Sequence, residues 1–465
     1  MSVGPDSRGG FFANDVGLRR AAARLCALFM LGLVALTVCP PQTGASDLNP
    51  IRFVTPNGLT VLFLEQHYLP IVEVHALVKV GSAQDPPDKA GLANLVASLL
   101  DEGTTTRSSK QIAEQIDFVG GSLEAKASED FTTASARVLK KDADLGFSLL
   151  ADILIRPAFP KQEFERVRTQ ILGEIVSDND DPGQVALKAF HRLVFHGHPY
   201  RWPVNGTEET VSKITLADVQ TFFTKEYLPN QTILAIVGDL TQDQAASLVQ
   251  THFGSWKRGS PPLRTTRKPA PVERKTVHLI EKDLTQSTII LGHAGISRTN
   301  PDYYAVTVMN HILGAGGFAS RLMDSIRDKQ GLAYGIMSHF DARLMPGAFM
   351  VNLQTRSEAT NQAIAGVLNE IKTLRESPVS DQELADAKAF LVGSFPLRLD
   401  STAKLAQVLA QVEFYGLGLD YFMQYPKWIE KVTKDDVLRV AKQYLDPQHY
   451  VLVVVGDQAK AKVRQ

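Results

Sequence analysis

The chain has 465 residues, 44% hydrophobic and 21% charged. That balance excludes a disordered, collagen-like or coiled-coil chain and leaves room for two to four domains. Lys and Arg number 49 against 50 Asp and Glu, a formal net charge of −1, so the charge gives no reason to expect nucleic acid. Two cysteines exclude a disulfide-stapled scaffold and a Cys-based zinc ribbon, and a metal site would have to use His and carboxylates.

Residues 1–45 read as an export signal. Arg19, Arg20 and Arg24 precede a 14-residue apolar run, Leu25–Val38, which is shorter than the about 20 residues a membrane-spanning helix needs. Pro40-Pro41 breaks the run, and Thr43-Gly44-Ala45 offers small residues for cleavage before Ser46. A buried helix, an uncleaved anchor and a lipid-modified Cys39 are the other readings, the last opposed by the bulk of Val38. Cleavage removes four Arg, two Asp and both cysteines, leaving 45 basic and 48 acidic residues. The expected product is a cysteine-free periplasmic or extracellular protein with no membrane span.

Beyond Ser46 the pattern alternates strands and helices. Strands are predicted at Leu59–Leu64 and Ile71–Val80, around a turn at Tyr68-Leu69-Pro70. Helices follow at 90–100 and 108–118, a strand pair around 122–139, and amphipathic helices at 143–155 and 160–178. Residues 214–239 (ITLADVQTFFTKEYLPNQTILAIVGD) recur as 432–457 (VTKDDVLRVAKQYLDPQHYVLVVVGD). Thr215, Asp218, Val219 and Gly238 reappear as Thr433, Asp436, Val437 and Gly456, each 218 positions later. That period is far too long for a solenoid and implies two homologous domains. The Pro-rich basic stretch 257–274 reads as their linker, which sets the domains at 50–256 and 275–460. Val277–Leu279 and Thr288–His293 open the second domain as strands. Strand pairs with helices between them indicate an α+β fold. The stripes Phe222-Phe223 and Phe414-Tyr415 read as core and interface.

The segment Gly91-Leu92-Ala93-Asn94-Leu95-Val96-Ala97-Ser98, followed by Gly103-Thr104, resembles the zinc-binding helix of the M16 peptidases, the family of insulysin, pitrilysin and the mitochondrial processing peptidase. There a His-x-x-Glu-His motif places two zinc-binding imidazoles on one helix face, with the Glu as general base. The resemblance puts Asn94 and Ser98 at the two His positions and Ala97 at the Glu. It puts the third ligand at Glu174, 76 residues after Ser98. Glu174 by itself also reads as a surface helix residue. An all-oxygen set of Asn94, Asp101 and Glu174 would suit Ca or Mg and offers no base. His196-Gly197-His198 has no third ligand near it and reads as loop, while His198-Pro199-Tyr200 and Val204-Asn205-Gly206-Thr207 resemble a family loop.

The most specific resemblance is Leu313-Gly314-Ala315-Gly316-Gly317 through Ser320-Arg321-Leu322 to Ile326-Arg327, with Gly331-Leu332-Ala333-Tyr334. No Gly-Lys-Ser/Thr follows the glycines, so this is no phosphate loop. In the family, an Arg and a Tyr of this block reach the substrate, which implies substrate binding by Arg327 and Tyr334. Seven positions apart, they would lie two turns apart on a continuing helix. Read alone, Arg327 is a surface ion-pair residue and Tyr334 a core residue. The resemblance implies a LuxS/processing-peptidase-like metallohydrolase fold, two domains in a clamshell, and peptides as substrates. It further implies that this chain holds no cofactor and that zinc sits in a partner M16 subunit with an intact His-x-x-Glu-His helix. The other functional readings are a non-enzymatic scaffold or assembly protein of the cell envelope, and a hydrolase with an unrecognised site.

Overall fold

The computed structural model describes residues 48–264 and 267–464, so the signal segment lies outside the described residues. The first half runs β1 (Ile51–Val54), β2 (Thr60–Glu65), β3 (Ile71–Val78), α1 (Leu92–Ala97), α2 (Ser109–Phe118), β4 (Ser122–Ala127), β5 (Thr132–Leu139), α3 (Ala143–Ile155), α4 (Lys161–Asp178), α5 (Pro182–Val194), α6 (Glu208–Val211), α7 (Leu216–Glu226), β6 (Thr232–Gly238) and α8 (Gln242–Phe253). The second runs β7 (Thr276–Glu281), β8 (Gln286–Ala294), α9 (Tyr303–Asn310), β9 (Ala333–Phe340), β10 (Ala348–Arg356), α10 (Thr360–Glu376), α11 (Asp381–Gly393), α12 (Thr402–Phe414), α13 (Tyr421–Glu430), α14 (Lys434–Tyr444), β11 (Val451–Gly456) and α15 (Gln458–Ala461).

The repeat seen in the sequence is a repeat of topology. The first sheet is ordered β1-β2-β6-β3-β5-β4 and the second β7-β11-β8-β10-β9, which is the same arrangement without the additional β1. In each half one pair is parallel, β2 with β6 and β7 with β11, and the other pairings are antiparallel. The repeated Thr-x-x-Asp segments are capping boxes. The Thr215 hydroxyl accepts from the Asp218 N–H, and Thr433 does the same for Asp436. Both repeated strands end on a glycine with positive φ, Gly238 at 154° and Gly456 at 157°. A Cβ on Gly238 would lie 2.2 Å from the Ile71 carbonyl oxygen, so no side chain fits at that crossing.

Several predicted elements are placed differently. The helix expected over 90–100 ends at Ala97, and the Leu99 and Leu100 N–H groups bond three residues back to Val96 and Ala97. Helix α5 is not among the helices named from the sequence pattern, and it starts with Pro182. At the first helical position the missing proline N–H costs nothing, and Asp181 caps the Gly183 N–H beside it at 2.7 Å.

Helices α5 and α12 tie the halves together by exchange. Ala186, Phe190 and Val194, four residues apart on α5, form one buried stripe. That stripe packs with Ile290, Met350, Val451, Val453 and Val455 of the second sheet. Reciprocally, α12 lies against β3 and β6 of the first sheet. There Glu413 pairs with Arg52 of β1 at 2.9 Å, and Phe414 meets Phe131 edge-on at 5.2 Å.

A polar cluster closes the same junction. The buried Tyr200 hydroxyl donates to Asp130 Oδ1 at 2.6 Å and accepts from the Met345 N–H at 3.2 Å. The Leu344 N–H donates to Asp130 Oδ2 at 2.9 Å. Arg343 pairs with Glu129 at 2.9 Å and lies over the Tyr200 ring. Burial pushes the Asp130 carboxyl above its usual range against the pull of Tyr200, Leu344 and Arg343. The turn after β4 and the loop after β9 are equivalent positions in the two halves, and they meet here.

Candidate functional site

Helix α1 begins on Gly91, whose φ is +100° and where a Cβ would lie 2.8 Å from the Asn205 carbonyl oxygen. The Asp85 carboxylate accepts from the Gly91 and Ala93 N–H groups, both at 2.8 Å, which satisfies donors that the first turn leaves free. Burial still pushes Asp85 up to about 7. Gly206 approaches so closely that a Cβ would lie 2.2 Å from the Ala90 carbonyl oxygen, which also accepts from the Thr210 hydroxyl at 2.8 Å. The Gly91-Leu92-Ala93 and Asn205-Gly206-Thr207 motifs are therefore two sides of one contact that sets the helix start.

Asn94 and Ser98 are partly exposed, and Ala97 is buried. Positions 94 and 98 share a helix face, but they carry an amide and a hydroxyl, and position 97 carries a methyl. Glu174 of α4 is exposed and accepts from Gln170 at 3.0 Å. Burial pushes Asp101 up, and Glu102 pairs with Arg166 at 2.5 Å and with the Ser109 hydroxyl at 2.9 Å. This donor set does not fit zinc, because it has no imidazole or thiolate and no base beside the metal position. Among the described residues no three His, Cys, Asp or Glu side chains come together as a metal site. His198 is buried, accepts from the Tyr200 N–H at 3.2 Å and packs on the Tyr200 ring, which is the role of a loop residue.

The glycine block builds a different site. His311–Ala315 is a wide helical turn that sits directly on β9, and a Cβ on Gly314 would lie 2.6 Å from the Ser338 N. Arg321 forks onto Glu383 of α11 at 2.6 and 3.1 Å. Burial opposes the Glu383 charge, but Arg321 and the Ser380 N–H and hydroxyl outweigh it and hold that carboxyl down to about 2. Arg321 is thus a structural anchor for the turn.

A second wide turn, Met323–Asp328, carries Arg327 and then stops. Tyr334 lies on β9, so the two residues are not two turns apart on one helix. The chain reverses at Gly331, with φ +61°, and brings the ring back to the guanidinium. Arg327 Cζ is 5.2 Å from the Tyr334 ring centroid and 4.7 Å from that of Phe318. Tyr334 is 89% exposed and Phe318 72%, which overturns the reading of Tyr334 as core. The nearest carboxylate oxygen to Arg327, on Asp328, is 4.0 Å away. The stack stands at the mouth of an open cleft of about 1020 Å³, floored by β8, β9 and β10 and walled on one side by Gly183 and Leu187 of α5. The sequence reading named the pair but missed Phe318 and the wall from the other half. The exposed aromatic after the glycine run was the available signal for Phe318.

Residues 60–208 match the family described as Insulinase (Peptidase family M16), and residues 213–391 match the one described as Peptidase M16 inactive domain. An uncharacterized zinc protease of Mycobacterium leprae is 31% identical over 434 residues, which covers 90% of this chain and 95% of that protein. The crystal structure of a peptidase M16 inactive domain from Pseudomonas fluorescens superposes with a TM-score of 0.83 at 30% identity, covering 88% of this chain and 98% of that one. A protease from Helicobacter pylori shares the fold, with a TM-score of 0.82 at 22% identity, 88% of this chain and 99% of that one.

Proposed function

The chain belongs to the M16 peptidase family, and on that premise we propose that it is the non-catalytic, substrate-binding subunit of an exported, heteromeric zinc metallopeptidase that acts on peptides. One observation carries the reading. The Arg327–Tyr334 stack is exposed at the mouth of a large cleft, in a chain whose family zinc positions hold Asn94, Ala97 and Ser98. Zinc would be held by a partner M16 subunit with an intact His-x-x-Glu-His helix, where it supplies Lewis-acid chemistry. The residues of this chain bind and orient. Arg327 presents a fork of N–H donors and Tyr334 a phenolic O–H. Both can donate to a peptide carbonyl or to an oxygen gaining charge at the partner's site.

The test is purification of the native protein from the cells that make it, followed by Arg327→Ala in the reconstituted pair. The expected result is a stoichiometric zinc-bearing partner and loss of peptidase activity in the variant, with assembly intact. Unchanged turnover in Arg327→Ala refutes substrate binding by this residue. A zinc-free complex with unrelated envelope proteins refutes the peptidase reading and leaves a scaffold.

A further inference from the structure

The cleft beside Arg327 is asymmetric in charge. None of the residues that line it is acidic, and its two cationic side chains are Arg327 and Arg356. Arg356 is exposed, and its guanidinium has no ion-pair partner among the described residues. Strand register places both arginines at one end. Thr355 pairs with Ala333 in the β10–β9 ladder, so Arg356 follows at the start of β9, where Tyr334 holds Arg327. Further along the floor, Ile290, Asn352 and Met337 lie side by side across β8, β10 and β9. Met337 is exposed there, and the Asn352 Oδ1 is buried without a hydrogen-bond partner.

We propose that this cleft takes an extended, apolar peptide segment that bears a carboxylate, held by Arg327 and Arg356, and that Arg356 is the residue selecting for it. The proposal rests on the reading of this cleft as a substrate-binding site. Two arginines in a cleft whose lining has no acid leave it positively charged, with Asp328 beside Arg327 at 4.0 Å outside that lining, and an incoming carboxylate is drawn to both guanidinium groups. Arginine binds a carboxylate through paired N–H donors, and apolar surroundings strengthen the contact. The Ile290–Asn352–Met337 row takes the apolar neighbours, and the free Asn352 Oδ1 accepts a peptide N–H. A basic segment would set like charge against like. The carboxylate is either the peptide's own C-terminus or an Asp or Glu side chain.

The test uses the purified full chain and a decapeptide of Val and Thr with one central Asp and a free C-terminus, labelled at its N-terminus with an uncharged boron-dipyrromethene fluorophore. Three variants of the peptide carry a C-terminal amide, Asn for the Asp, or both. Fluorescence anisotropy is expected to show that removing the operative carboxylate weakens binding about tenfold or more. Whichever single change does so identifies the source. Arg356→Gln is expected to lose the same factor against the acidic peptide and nothing against the doubly neutral one, with an unchanged thermal midpoint because the side chain is exposed. Raising the salt should weaken the acidic peptide alone. Equal binding of the four peptides, undiminished binding by Arg356→Gln, or no binding of any peptide at millimolar concentration overturns the proposal. Each measurement reads this chain alone. A zinc-bearing partner can therefore be absent while carboxylate-selective binding holds, or present while it fails.

Discussion

Replacing Phe190 with Ala tests the helix exchange at its centre. Phe190 belongs to the first half by sequence, yet its side chain is fully buried against strands of the second sheet. Truncating a buried Phe costs about 3–5 kcal/mol, as lost transfer energy plus the cavity left behind. Since about 1.4 kcal/mol is a factor of ten, opening of the segments that rest on Phe190 becomes about a hundredfold or more easier. Hydrogen exchange is the assay, because it reads each strand separately. The amides of β8 and β11, whose Ile290, Val451 and Val453 form the facing surface, should lose protection by that factor. The result that refutes the reasoning is unchanged protection in β8 and β11 with the loss confined to α3, α4 and the first sheet.

Two more predictions concern the buried polar groups. Tyr200→Phe leaves Asp130 with fewer donors and the Met345 N–H without its acceptor. It should lower stability by about 2–3 kcal/mol, read as a lower urea midpoint at constant slope. An unmoved midpoint would show that the cluster contributes nothing. His75 and His191 are each held down to about 4, chiefly by burial, against 6.5 in the unfolded chain. The unfolded state therefore takes up their protons first, and the stability they contribute is present above pH 6.5 and lost as pH falls through about 4. The loss is at most about 3 kcal/mol for each. Thermal midpoints between pH 7 and pH 4 should fall accordingly, and His191→Phe should flatten part of that slope. An identical slope in the variant would place the proton uptake elsewhere.

The local features were legible because local rules encode them. Thr215 with Asp218 and Thr433 with Asp436 announce helix starts three residues wide, and the β-branched runs ending in Gly238 and Gly456 announce strands. The helix at Ala143–Ile155 follows directly from apolar spacing and holds over that whole span. The family resemblance was legible for the same reason. Gly91 and Gly206 are required by backbone contacts, which leave a trace in the residue type itself.

By itself, the sequence determined the α+β class and the doubled architecture, since both depend on residue type or on short-range pattern. Only the tertiary structure decided which sheet each amphipathic stripe covers. Nothing in the spacing of Ala186, Phe190 and Val194 states that their partners lie about a hundred or more residues onward, in Ile290 and Val453. It likewise decided that Tyr334 stands on a strand rather than a helix. Seven residues span two turns only if the helix continues, and Gly331 turns the chain back instead. The pairing of Arg327 with Tyr334, the anchoring of Arg321 on Glu383 and the cleft shared by the two halves all follow from that packing, because contacts between distant segments are set by the fold and leave no periodicity in the chain.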